Sequence, residues 1–328
     1  MEITAGGLLE VRITPADVGK RVSVRQVQQG VSGSPSFTDT VGVLTSWTEG
    51  VLLITQKNGK SVRIAESALV AGKVVPPAPA RRRGPAASFE ELARVAARSW
   101  QPLESERLGE WTLRAAAGFT RRANSVLPLG DPGIPLDDAL ARVTSWYAER
   151  GLPAYVQAAT GAVGTQELLI AELERRGWAA EVSAEVRIGA LAPVGDVDAP
   201  EAGAVRLTRT PDEDWLGRYG KVTDPDLARR MLVAGPSVWF ASLAGGRAIG
   251  RCVVDGRWAG FAAVTVDPGR RREGLATAVM AALARRALEE GASAAWLQVE
   301  TDNEGARGLY DGLGFATHHS YHHYRAAR

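Results

Sequence analysis

Residues 266–276 read VDPGRRREGLA, and how this stretch is taken decides what the chain is. Three consecutive arginines, residues 270–272, stand beside Gly274 in a chain whose formal net charge is only +2. The preceding run GFAAVTV reads as a strand and Asp267-Pro268-Gly269 as a turn. A helix is expected from about Gly274, because Leu275, Val279 and Leu283 recur every four residues and bury one stripe. The arginines and Gly274 then lie at a helix N-terminus. The first backbone N–H groups there have no intrahelical partner, and the helix dipole is positive. Gly274 and Ala276 carry little or no side chain, so an anion can come close to the backbone. Those are the elements of a phosphate cradle. The plainer alternative is a solvated basic loop capping an ordinary helix.

The wider spacing separates the two. Val266-x-Pro268-x-x-Arg271-x-x-Gly274-x-Ala276 is followed, one strand later, by LQVETDNEGARGLYDGLGF at residues 297–315. Asn303, Ala306, Leu309, Tyr310, Gly314 and Phe315 fall on an N-x-x-A-x-x-L-Y-x-x-x-G-F pattern. Together the two segments resemble the GNAT N-acetyltransferase family, over roughly residues 204–328. The resemblance implies an α+β fold: a mixed sheet, flanked by helices, that splays open between its fourth and fifth strands. It implies acetyl-CoA as co-substrate, a primary amine as acceptor and direct attack without a metal. The acyl-pantetheine would bond to backbone of the fourth strand, here at Val264 and Val266. Residues Arg271, Arg272, Glu273, Gly274, Leu275 and Ala276 would hold the pyrophosphate. Asn303 would be a cofactor contact or a structural residue, since an amide does not titrate.

Direct acyl transfer needs a neutral amine, an oriented thioester and a proton for the leaving thiolate. Tyr310 matches the family's proton donor to the CoA sulfur. It is expected on the edge of a helix whose buried face is Ala306, Leu309 and Leu313. Its structural alternative is a packing tyrosine capping a buried acceptor. The base is less defined. Alternation along the fifth strand puts Leu297 and Val299 on one face and Trp296, Gln298 and Glu300 on the other. Glu300, at the strand end, is either the acceptor of the amine proton or a solvated carboxylate. The fourth strand lacks the acidic residue that some family members carry there.

The rest of the chain reads in three parts. Residues 1–75 hold short alternating runs, among them RVSVRQV and TVGVLTSW, and a hairpin signal at Lys57-Asn58-Gly59-Lys60. They suggest a small SH3-like β-barrel. The proline- and arginine-rich residues 76–87 read as a linker. Residues 88–195 alternate helix and strand from a capping box at Ser88 and Glu91. Their order, and RRANSVLP, faintly resemble a GNAT half without the glycine loop. A second Pro/Gly/Asp-rich break covers residues 192–204. The whole resembles a tandem arrangement: a degenerate GNAT-like domain packed on the catalytic GNAT domain at 204–328, with the barrel in front.

The near-balanced charge disfavours a dedicated nucleic-acid binder. No membrane-length apolar run or basic-apolar leader is evident, so a cytoplasmic protein is expected. The single cysteine, Cys252, sits in an apolar run and reads as a small core residue. All four histidines lie in THHSYHHY. In a strand, His318 and His322 share one face, His319 and His323 the other, each pair too far apart for one metal ion. One of those faces could border the acceptor. Two other function classes stay open: an acetyl-CoA-binding sensor without activity, and a peptide- or nucleic-acid-binding module led by the barrel. A homodimer is also left open.

Overall fold

The computed structural model describes residues 10–29, 35–76, 84–220, 222 and 224–327. The linker arginines at 81–83 lie outside the described residues. The N-terminal unit contains β1 (Arg21–Gln29), β2 (Pro35–Thr48), β3 (Val51–Thr55), β4 (Ser61–Ala65) and β5 (Leu69–Val74). They form one five-stranded antiparallel sheet in the order β4-β3-β2-β1-β5. Val22, Val24, Leu44, Leu52, Ile54 and Ile64 make its core. The expected closure into a barrel is not present among the described residues. A 3-10 turn at Glu66–Ala68 carries the chain from β4 across to β1, so β4 and β5 stay on opposite edges.

The middle segment holds α1 (Phe89–Ser99), β6 (Glu104–Leu108), β7 (Trp111–Ala115), β8 (Leu127–Pro128), α2 (Leu136–Ala148), β9 (Tyr155–Thr160), α3 (Glu167–Arg175) and β10 (Ala179–Ala190). Ser88 caps α1, its side chain accepting from Glu91 N–H at 3.0 Å. Around RRANSVLP, strand pairing is confined to the two residues of β8 and a single bridge at Val126. The reason is Asn124, whose Oδ1 accepts from Ala116 N–H at 2.7 Å and Gly118 N–H at 3.0 Å. Its Nδ2 donates to Thr120 O. One side chain thus takes the place of a strand ladder, as asparagine does in turns.

The third segment follows α4 (Leu191–Gly195). It comprises β11 (Arg206–Thr208), α5 (Glu213–Tyr219), α6 (Pro225–Val233), β12 (Ser237–Ser242), β13 (Ala248–Asp255), β14 (Trp258–Val266), α7 (Leu275–Glu289), β15 (Ala294–Glu300), α8 (Glu304–Gly312) and β16 (Ala316–Arg325). The break expected at 192–204 is packed structure. Leu191 and Val194 are fully buried, and Arg285 of α7 donates to Gly195 O at 2.8 Å. Proline and glycine there shape a tight turn against α7 rather than a solvated spacer.

One eight-stranded sheet, ordered β11-β12-β13-β14-β15-β10-β16-β9, runs through both segments. β10, from the middle segment, lies between β15 and β16. β16, from the last segment, lies between β10 and β9. Each segment places its final strand inside the other's sheet. β14 and β15 are parallel, as the α7 crossover between them requires. The middle segment repeats this with a parallel bridge between Val126 and Val156.

Candidate active site

β14 and β15 pair from Trp258↔Ala294 to Phe261↔Leu297 and no further. Beyond that point both strands continue, to Val266 and Glu300, so the sheet opens into a V. A bulge accompanies the opening. The register with β13 shifts between Ile249 and Arg251, so that Gly250 faces both Ala263 and Val264. Ala263 takes a φ of +53°, a left-handed conformation costly for alanine. Gly250 has to be glycine, because a Cβ there would stand 2.5 Å from Val279 of α7. The bulge and the V leave one backbone edge of β14 without a β15 partner beyond Phe261.

A cleft of about 650 Å³ lies in and above this V. Val264, Glu300, Asn303 and Tyr310 line it. Val266 does not, and neither do residues 271–276, which stand past the end of β14 at the start of α7. Gly274 is the helix N-cap, with φ +77° and no side-chain cap. The first ladder bond is Ala278 N–H to Gly274 O, which leaves the amides of Leu275, Ala276 and Thr277 outside the ladder. A Cβ on Gly274 would meet nothing within 4 Å, and the first turn of α7 carries no acid. Arg271 and Arg272 are exposed and make no ion pair among the described residues, whereas Glu273 is held by Arg270. Free amides, open space and uncommitted cations fit a diphosphate. Glu273 fits only as the partner that orders the loop.

Tyr310 departs from expectation in its burial. It was placed on the helix edge, yet it is the one buried residue of α8. It packs edge-on against Phe315, with ring centroids 5.9 Å apart. Its hydroxyl takes no hydrogen bond among the described residues, and burial pushes the phenol up to about 12. Tyr310 therefore keeps its proton throughout the neutral range. β10 fixes its helix. Arg187, 3% exposed, donates to Arg307 O at 3.2 Å and to Asp311 at 2.8 Å. The Asn303 side chain is committed to capping α8, accepting from Ala306 N–H at 3.1 Å. Glu300 is exposed at the end of β15.

The sheet's alternation sorts the rest. Tyr310 belongs to the core on the α7 and α8 side. Trp296 and Glu300 are on the opposite face, as expected, and register carries that face to Tyr321 and His323. Gly260 lies beneath Trp296: a Cβ on it would meet the indole at 2.5 Å. Of the histidines, His323 lines the cleft. His322 points the other way, with Nδ1 2.8 Å from Ser183 Oγ and Nε2 3.1 Å from Thr160 Oγ1. His318 and His319 bring their Nδ1 atoms within 2.8 Å at a break in the β10–β16 register. No group of three metal-ligating side chains occurs among the described residues. Burial pushes the Cys252 thiol up to about 12, so it stays protonated and unreactive.

The cleft also has a wall that the sequence did not announce. Gly118, Thr120, Arg121 and Arg122 come from the middle segment, Arg251 from β13. Arg251 was the legible one, a lone charge inside the apolar run AIGRCVV. Its Nε donates to Leu232 O at 2.7 Å and its Nη2 to Ser99 O at 3.0 Å.

The middle segment holds a buried arginine of its own on β7. Arg114, 3% exposed, donates to Ser125 O and Ser125 Oγ at 2.9 Å and to Gln157 Oε1 of β9 at 2.9 Å. Its crossover helix, α2, begins at Pro135 without a side-chain cap and carries Asp137 and Asp138 in its first turn.

Comparison with known proteins places this geometry. Residues 86–324 match the family described as "Probable histone acetyltransferase Rv0428c C-terminal". The chain is 27% identical to the probable histone acetyltransferase Rv0428c of Mycobacterium tuberculosis over 308 residues, 92% of this chain and 93% of that one. Among solved structures, a GCN5-related N-acetyltransferase from Kribbella flavida superposes with a TM-score of 0.52 at 16% identity, covering 74% of this chain and 97% of that one. A tandem GNAT protein from the clavulanic acid biosynthesis pathway superposes with a TM-score of 0.51 at 12% identity, covering 75% and 91%. Both superpositions are likenesses of fold.

Proposed function

We propose that this chain, which belongs to the family of the probable histone acetyltransferase Rv0428c C-terminal region and is an acyltransferase of the GNAT type, transfers acetyl from acetyl-CoA to a primary amine in the cleft at the V. The observation that carries the reading is the parting of β14 from β15 after Phe261↔Leu297, with Tyr310 lining the gap. Acetyl-CoA supplies an acyl group already activated as a thioester. The unpaired edge of β14 near Val264 and Val266 orients the pantetheine arm, and the amides of Leu275 and Ala276, with Arg271 and Arg272, hold the diphosphate. Glu300, on the other face, takes a proton from the acceptor amine. The C–N bond forms, the C–S bond breaks, and Tyr310 gives its proton to the departing sulfur. A buried phenol is suited to this because it enters the step protonated.

The domain reading follows. Residues 204–328 form the catalytic unit, completed by β10. Residues 88–195 are a second copy that has lost its own cofactor site, and their loops wall the acceptor side of the first. The N-terminal sheet is read as an open, SH3-like unit, on the strength of its strand order and the 3-10 turn before β5. No helix among the described residues is long and apolar enough to cross a membrane. The test of the activity is release of free thiol from acetyl-CoA across a broad amine panel. Turnover well above thioester hydrolysis is expected with some amine. Binding of acetyl-CoA without any amine-dependent thiol release would leave a sensor instead.

A further inference from the structure

The acceptor half of the cleft is cationic, and its buried donors are not all used. Three arginines line it, Arg121, Arg122 and Arg251, against one carboxylate, Glu300. Arg251 is fully buried and makes no ion pair. Three backbone carbonyls and the face of Trp100, 4.6 Å away, receive its charge. Its Nη1 has no hydrogen-bond partner among the described residues. The same holds for Trp296 Nε1 and for both ring nitrogens of His323, which is 2% exposed. All three residues line this one cleft. Buried polar groups are nearly always satisfied, so several orphaned donors around one cavity call for an acceptor-rich guest.

Arg122 lines the same cleft. It is half-buried, and its Nε donates to Tyr321 Oη at 3.0 Å. It makes no ion pair among the described residues. Its charge bears on both Tyr219 and His323, so it lies within electrostatic reach of both sides of the cleft. Arg121 is partly committed, 3.6 Å from Glu181 and packed against the Tyr155 ring. Arg122 is thus a planar fork of N–H donors with no counter-charge, walled by an unpaired buried arginine. That is the arrangement which recognises an oxyanion.

We propose that the acceptor of this enzyme is an amine that also carries an oxyanion group, a carboxylate or a phosphate, which Arg122 binds, with the charge of Arg251 and the unpartnered polar ring of His323 in the same cleft. This rests on the acetyltransferase reading above and narrows its substrate class. It also sets this cleft against a lysine-rich tail. A polycationic peptide would bring further positive charge to a wall of three arginines with one acid to receive it. The name of the mycobacterial relative refers to histones; the charge of this cleft points to small anionic amines.

The experiment uses the full chain and matched probe pairs: 4-aminobutyrate against butylamine, 3-aminopropyl phosphate against propylamine, and a lysine-rich tail peptide. Thiol release gives kcat/KM for each. Calorimetric titration of each probe into the protein saturated with CoA gives binding without chemistry. The expected result is at least a tenfold preference for an anionic member over its neutral partner in one pair or both. The pair that shows it distinguishes carboxylate from phosphate. Arg122→Gln should bring the ratio towards one through KM, and Arg122→Lys should leave it between the two. Melting temperature and acetyl-CoA affinity of the variants certify the fold. Anionic preference in binding, with no thiol release from any amine, would refute the transferase reading and keep the anion site. Equal or better use of neutral amines or of the lysine-rich peptide would overturn the proposal and leave the transferase standing. So would a preference that Arg122→Gln does not change, or no anion-dependent difference in either measurement.

Discussion

The imidazole of His322 lies against Gly59: a Cβ built on Gly59 would stand 2.5 Å from both Cε1 and Nε2 of that ring. Gly59 belongs to the β3–β4 hairpin and His322 to β16, so the contact joins the N-terminal sheet to the shared one. Thr160 Oγ1 adds a bond to Lys57 O at 2.8 Å, and Ser61 Oγ one to Glu174 at 3.1 Å. Gly59 also has φ +82°. Gly59→Val should therefore strain the turn and push the hairpin off the sheet, at a cost of roughly 1–3 kcal/mol. Chemical denaturation should show the loss, and limited proteolysis should cut the N-terminal unit sooner. Wild-type stability and protection would mean that the unit is not docked through this hairpin.

Gly274→Glu should abolish acetyl-CoA binding without unfolding the chain. A Cβ at this position meets no atom within 4 Å, so the main cost to the fold is the strain of a non-glycine residue at φ +77°, about 1 kcal/mol. Its carboxylate would occupy the anion's place at the start of α7. Calorimetry on a variant with a near-normal melting temperature is the check. Retained affinity would show that the diphosphate lies elsewhere.

One acetyl-CoA should bind per chain. In the middle segment Asp137 and Asp138 oppose an anion at the start of α2. Titration should give a stoichiometry of one. A value of two would reveal a cradle in the middle segment.

Folding stability should fall as pH drops from about 6.5 towards 4. His322 is lowered to about 4 and His319 to about 3, and His323 well below the usual histidine value, in each case chiefly by burial. The 2.8 Å approach of His318 and His319 through their Nδ1 atoms also requires that one of the two accept, and so remain neutral there. The unfolded chain protonates these rings near 6.5 while the folded chain does not, so stability is complete above that pH and declines below it. Each such ring contributes a slope of about 1.4 kcal/mol per pH unit. Denaturant melts at steps from pH 7 to 4.5 test this. A flat profile would mean the rings are charged or exposed in the fold.

Local signals in the sequence carried the motifs further than the architecture. The strand-turn-helix around Gly274, the cap at Ser88 and the Lys57–Lys60 hairpin depend on neighbours within a few residues, and each forms where its residues indicated. The reciprocal placing of β10 and β16 could not be read, because alternation gives a strand's faces and not its neighbours. The wall at Arg121 and Arg122 was hidden for the same reason, since it meets Trp296 and His323 only through that exchange. Tyr310 was placed one step too far out. Helical periodicity saw Ala306, Leu309 and Leu313, but Arg187 of β10 draws α8 in from the other side.

The most direct test of the account is the Tyr310→Phe variant, with kcat measured on an accepted amine and acetyl-CoA affinity measured separately. Phenylalanine keeps the packing on Phe315 and removes only the proton. If Tyr310 protonates the departing sulfur, kcat should fall by ~10²–10⁴-fold, the usual worth of general-acid assistance, with acetyl-CoA affinity nearly unchanged. A Tyr310→Phe enzyme with wild-type kcat on that amine would contradict the mechanism.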